Sequence, residues 1–221
     1  MTMSEEKPPI CANLIFPILI RPVIHKIERH DPMAAQILLN AIIKAETSEP
    51  GLMLDIVNSI LKRRDLTVNI TESLLKLQGH IPEFDVIVTI NTDQKCKRSE
   101  ELFQDLNRKT YSLKKILSRI PDEINDRKTF LETIKEIASA IKKLLDCVNE
   151  ISNSLQITSP SDKRALENRK REFIRDSKKF SQTLKEFFRE GQTQTVFQSA
   201  AQLICATNTI QRTVKTKFDP K

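Results

Sequence analysis

The sequence predicts an all-α protein, and three observations carry that expectation. Apolar residues recur at spacings of three and four along most of the 221 residues, which gathers them on one face of a helix. Only 3 Gly and 1 Tyr are present, with no Trp, a poor supply for the turns and strands of a β-architecture. Capping residues and prolines punctuate the apolar runs at helix-like intervals. With 39% hydrophobic and 29% charged residues, the chain carries enough apolar side chains to build a core rather than stay disordered.

The first third reads as short helices. FPILIRPVIHKIE (16–28) predicts one or two turns followed by a proline-kinked helix. Asp31-Pro32 supplies a cap and a first-turn proline for a helix through MAAQILLNAIIKAE (33–46). Ser48 with Pro50 is expected to open GLMLDIVNSILKRR (51–64), whose basic end suits the negative pole of the helix dipole. Thr71 is expected to cap ESLLKLQ (72–78), which Gly79 ends; Asn69-Ile70-Thr71 thus reads as a helix start rather than a glycan acceptor. In AAQILLNAIIKA, Ile37, Leu38, Ala41, Ile42 and Ile43 cover more of the circumference than the stripe of a surface helix. That excess predicts a dimerisation module.

Residues 79–100, GHIPEFDVIVTINTDQKCKRSE, break the pattern and read as a linker. Four longer amphipathic helices are expected beyond it. The first, from 101, carries Leu106, Leu113 and Leu117 and stops before Pro121. The second, about 125–149, turns Phe130, Ile137 and Leu144 inward. The third, about 163–189, buries Leu166, Phe173, Phe180, Leu184 and Phe187 and is stopped by Gly191. The fourth, about 194–217, presents Phe197, Ala200, Ile204, Ile210 and Val214. Short connections make these an up-down four-helix bundle. The organisation is therefore a dimerisation domain over 10–78, a linker over 79–100 and a bundle over 101–218.

The net charge of +7 is uneven. Through Arg98 the chain has 12 basic and 12 acidic residues, and the remainder has 24 against 17. A basic bundle beside a neutral first part implies an acidic partner. Cys11, Cys96, Cys147 and Cys205 show no metal-ligand spacing and suggest free thiols in a reducing, cytoplasmic setting. ICANLIFPILI (10–20) is too short and too proline-broken to span a membrane or act as a leader. All three histidines precede the bundle and the three glycines are scattered, so no metal site, cofactor loop or catalytic constellation is expected. RKREFIRDSKK (169–179) concentrates positive charge but lacks outward aromatics for base stacking, which argues against nucleic acid.

One pattern stands out within the bundle. At 100° per residue, Lys135 and Lys142, seven apart, lie about 20° from each other beside the apolar arc of the second helix. Lys178 and Lys185 repeat that placement on the third. If the two helices are antiparallel neighbours, Ile134, Ala138, Ile174, Ser177 and Ser181 would floor a shallow channel with lysine rims, suited to an acidic amphipathic helix. Flanking lysines are equally routine on solvated bundle faces, and spacing alone leaves both readings open.

FQDLNRKTYSLKKILSRIPDEINDRKTFLETIKEIASAIKKLLD (103–146) and RALENRKREFIRDSKKFSQTLKEFF (164–188) closely resemble the programmed cell death protein 10, or cerebral cavernous malformation 3 protein, family. AAQILLNAIIKA (34–45) and NITESLLKL (69–77) resemble it as well. The resemblance implies a non-enzymatic adaptor with an N-terminal dimerisation domain and a focal-adhesion-targeting-homology bundle. It implies that the first domain homodimerises or pairs with sterile-20-like germinal centre kinases of subfamily III, with Leu38, Ala41, Ile60 and Leu61 at that interface. It further implies that the bundle binds LD motifs of paxillin, the cerebral cavernous malformation 2 protein and striatin. Lys135, Lys142, Lys178 and Lys185, with Ala138, Ser177 and Ser181, fall at the family's groove. Phosphoinositide contact and Golgi and plasma-membrane association are implied on the same footing.

Overall fold

A computed structural model describes residues 8–81, 97–154 and 160–218. Those residues form helices and no strand, so the all-α expectation holds. Most of the linker expected over 79–100 lies outside the described residues. The first part comprises α1 (Ala12–Ile15), α2 (Arg21–Glu28), α3 (Pro32–Ser48), α4 (Leu52–Arg63) and α5 (Ile70–Gln78). The second comprises α6 (Lys97–Leu117), α7 (Ile120–Glu123), α8 (Arg127–Ser154), α9 (Pro160–Glu190) and α10 (Thr193–Phe218).

Between α1 and α2 the chain stays helical but widens into a π-register over Phe16–Ile20, where the Arg21 N–H bonds to the Phe16 carbonyl. Pro22 has no N–H to continue the tighter ladder, and the widened turn absorbs that gap. Asp31 caps α3 as expected, its carboxylate accepting the Ala34 N–H at 2.9 Å.

Two expected caps are corrected. Ser48 is the last residue of α3, and the start of α4 is held instead by Glu46. Its two carboxylate oxygens accept the N–H groups of Gly51 at 2.8 Å and Met53 at 3.0 Å. A carboxylate reaching back from the previous helix is favoured there because four N–H groups are unpaired and the dipole is positive. Gly51 makes the hairpin possible: its φ is +98°, and a Cβ there would lie 3.2 Å from Pro8 Cβ. Thr71 is already helical and buried. The cap of α5 is Asn69, whose amide oxygen accepts the Glu72 N–H at 3.2 Å.

The bundle runs up and down as α6, α8, α9 and α10, with α10 returning against α6. Phe130, Phe173 and Phe180 are essentially fully buried at its centre, each contributing about 2–3 kcal/mol by area removed from water. The boundaries shift from expectation at three places. The first bundle helix begins at Lys97, α8 runs on to Ser154, and Ile120-Pro121 belongs to the separate turn α7. Gly191, at φ +75°, ends α9 as expected.

α5, which the sequence groups with the first domain, rests on the bundle. Leu74 and Leu75 are buried against α10 and α7, and Lys76 reaches both Glu72 and Asp122 at 3.1 Å. α1 also touches α10. α3 and α4 behave differently. They meet only lightly, and Ala35 is the sole buried residue of α3.

Candidate docking channel on the helical bundle

α8 and α9 are antiparallel, and two contacts set their register. At one end the rings of Phe130 and Phe187 meet edge-on at 5.7 Å; at the other, Lys170 Nζ donates to Asn149 Oδ1 at 3.1 Å. Between these ends the two helices touch sparsely, whereas α9 packs most extensively on α10 and α6 on α8. Along the α8–α9 edge the contact is the lightest of the four between neighbouring bundle helices.

The expected channel residues fall along that edge. Counting from the Asn149–Lys170 contact, Ala138 stands level with Ser181, Lys142 with Ser177, and Ile134 with Lys185. Ile134, Ile174 and Ser177 are half-buried, and Ala138 and Ser181 are exposed. The serine hydroxyls are turned back onto their own helix, Ser177 to the Phe173 carbonyl at 2.8 Å and Ser181 to the Ser177 carbonyl at 3.0 Å. Bound this way, the hydroxyls leave a low floor that asks for no polar partner. Lys135, Lys142, Lys178 and Lys185 are exposed on the rims, each pair spaced by about 10 Å along its helix. Several nearby carboxylates are engaged elsewhere, Glu123 and Glu136 with Arg119, Glu167 with Lys170, and Glu172 with Arg169. Among the described residues none of the four rim ammonium groups has an ion-pair partner.

Sequence reasoning missed Leu131 and Phe188. Among the described residues they are the exposed large apolar side chains of the bundle, each at 42% of full exposure. The signal was available, since Leu131 precedes Ala138 by seven residues and Phe188 follows Ser181 by seven, on the same strips. Phe187, expected inward, is half-buried against Phe130.

In the first part, Leu38, Ala41 and Ile60 are exposed and Leu61 is half-buried. Met33, Ile37, Ile43, Ile56, Leu66 and Val68 are exposed too. So many apolar side chains on α3, α4 and the segment after α4 make an uncovered surface rather than scattered surface residues.

A cleft of about 730 Å³ opens on another side, where Pro17 and Arg21 approach α6, α9 and α10. Arg21, Lys114, Arg212 and Lys215 contribute to its lining. Lys114 is only 6% exposed. Its Nζ donates to Gln211 Oε1 at 3.3 Å, and Gln211 Nε2 donates to Asn107 Oδ1 at 2.8 Å. Burial without a carboxylate pushes its ammonium down to about 8. Asp176, also buried, accepts from Gln202 at 3.0 Å. The thiols of Cys147 and Cys205 are pushed up to about 12, chiefly by burial. They are protonated at neutral pH and poor nucleophiles. No helix among the described residues is long and apolar enough to cross a membrane.

An apolar-faced helical part followed by a four-helix bundle with an uncompensated basic edge defines a class: helical proteins built of a self-association module and a bundle. The chain belongs to the programmed cell death protein 10 family. Residues 8–67 match the family's dimerisation domain and residues 68–167 its C-terminal domain. It is 36% identical over 222 residues to the programmed cell death protein 10 homolog of Caenorhabditis elegans, an alignment covering 98% of this chain and 99% of that protein. The junction of the two matched domains falls just before α5, the helix that packs on the bundle.

Lys114 gives a testable pH dependence. Its amine is held at about 8 in the fold against 10.5 ordinarily, so folding strips a proton it would otherwise keep. Below pH 8 both states are protonated and the burial cost is at its largest. The cost declines between pH 8 and 10.5 and is gone above. Lys114→Met should therefore stabilise the protein at pH 7 by on the order of 2–3 kcal/mol, and the advantage should shrink by pH 10. Urea denaturation of both proteins at the two pH values checks this; a pH-independent difference would refute it.

Proposed function

We propose that this protein is a non-enzymatic adaptor whose bundle receives acidic amphipathic helices in the α8–α9 channel. The observation that carries this reading is the set of four exposed lysines without ion-pair partners along a low, internally satisfied floor. A helix bearing leucines on one face and carboxylates on its flanks complements that surface. LD motifs of paxillin, the cerebral cavernous malformation 2 protein and striatin have that chemistry and are the proposed ligands. The uncovered face of α3 and α4, in the matched dimerisation domain, supports the second half of the reading. Through it the chain self-associates or exchanges its own copy for a germinal centre kinase of subfamily III, and so links kinase to striatin assembly. The working place is the cytoplasm, with recruitment to Golgi and plasma membrane.

The basic cleft headed by Lys114 favours one further reading, contact with phosphoinositide headgroups at a membrane surface. A buried amine without a carboxylate, flanked by Arg21, Arg212 and Lys215, suits a phosphate-bearing group.

Three measurements separate these ideas. Lys135→Glu with Lys178→Glu should weaken binding of an LD-type peptide by about tenfold or more in fluorescence anisotropy, with helicity and melting unchanged. Unaltered affinity sinks the channel. Leu38→Asp should make the chain monomeric by light scattering and abolish capture of the kinase tail; a variant that remains dimeric refutes the interface. Arg212→Glu with Lys215→Glu should abolish co-sedimentation with phosphatidylcholine vesicles containing a phosphoinositide while sparing peptide binding. Equal sedimentation of the variant eliminates the headgroup reading.

A further inference from the structure

The α8–α9 channel is not uniform along its length. Counting eighteen residues back from Asn149 on α8 and eighteen on from Lys170 on α9 brings Leu131 level with Phe188. These two exposed side chains, each at 42% of full exposure, therefore flank one end of the channel from opposite walls. Single exposed apolar residues are ordinary. Two that converge across a groove, one on each helix, form a patch.

The patch is built rather than incidental. Phe130 is completely buried beneath it, Phe187 meets that ring edge-on at 5.7 Å, and Phe188 lies 5.4 Å from Phe187 and 6.0 Å from Phe130. Stacked on a buried ring, Phe188 has little freedom to fold away. The Arg127 guanidinium stands 5.9 Å over its face and adds a cationic edge without covering the ring. The opposite end has a different chemistry. There Lys142 is joined by Arg171 and Arg164, which continue the strip of Lys178 and Lys185 at seven-residue intervals, and the walls are bridged by the Lys170–Asn149 hydrogen bond. One end of the channel is cationic and closed; the other is aromatic and open.

We infer that the Leu131–Phe188 patch is an anchor site that sets the register of the docked helix. The occupant is an amphipathic helix of a partner protein whose carboxylates face the lysine rims and which carries a large apolar side chain, such as Phe, at one end beyond its acidic cluster. The charge complementarity of the rims selects this occupant over an uncharged helix or a second copy of this basic bundle, whose like charges would oppose each other. The distance decides the length: from the level of Lys142 to that of Leu131 is eleven residues, about 16 Å of helix. A segment of about two turns satisfies the lysines, and a further turn is needed to reach the anchor. Without the anchor, a ladder of equivalent lysines permits one-turn slips of the ligand. With it, a single register buries the apolar side chain.

This inference rests on the channel reading proposed above, and the test keeps the two apart. Two synthetic helices of about five turns are used, with leucines on one face and flanking aspartates. One carries Phe at both ends and the other Ala at both ends, which removes dependence on docking direction. The intact chain should bind the Phe peptide about tenfold more tightly than the Ala peptide. Leu131→Ser with Phe188→Ser should bind both with the weaker affinity. Lys135→Glu with Lys178→Glu should lose both. Equal affinity of the intact chain for the two peptides, or a tenfold preference that survives in the serine variant, overturns the anchor while leaving the channel in place. Unchanged binding in the lysine variant overturns the channel itself. If the double serine substitution lowers the melting temperature, Leu131→Ser alone, which disturbs no ring contact, reads the same difference.

Discussion

The placement of every surface described above depends on how tightly α10 draws its neighbours. Ala200, Ala201, Leu203, Ile204, Thr207, Ile210 and Val214 are all buried on it. The two alanines let a neighbouring backbone approach closely, and Thr207 removes its own polarity by bonding to the Leu203 carbonyl at 2.8 Å. α9, α6, α5 and α1 all rest on this helix. A bundle has a fixed circumference of side-chain volume to fill, so a helix pulled strongly to one partner stands off from another. Because α9 is drawn to α10, and α8 to α6, the α8–α9 edge stays open. The light packing of that edge follows from the close packing on the far side of the bundle.

Charge is distributed to match. Several basic residues outside the channel are tied to carboxylates on their own or the next helix, as with Arg119, which holds Glu123 and Glu136 at 2.7 Å. Such exposed pairs contribute little to stability. The rim lysines carry no ion pair among the described residues, and so shape the field an approaching helix meets. Lys114 is the opposite case: a cation taken out of water with only an amide for company, at a cost the rest of the core must outweigh.

The first part of the chain solves a different problem. Short helices with apolar residues over most of their surface cannot cover one another, since each additional helix brings as much uncovered area as it hides. α1 and α5 escape by lying against the bundle. α3 and α4 make no comparable contact with it, and their exposed Leu38, Ile37 and Ile60 lie in the matched dimerisation domain.

Sequence by itself determined the helical class, the bundle's inward residues from Leu106 to Val214, and the surplus of apolar surface on α3. Each rests on periodicity, which is local and survives any detail of packing. It also placed the two lysine pairs on matching strips. Caps were legible only where they were contiguous: Asp31 was readable, while Glu46 reaches across a hairpin to α4 and gives no local sign. Tertiary structure alone decided that α8 and α9 pack lightly, that Ala138 lies level with Ser181, and that Leu131 stands level with Phe188. It alone showed Lys114 buried beside Gln211. Those facts depend on the register and separation of helices, which are set by side-chain volumes summed over the whole core and so are written in no single stretch of the chain.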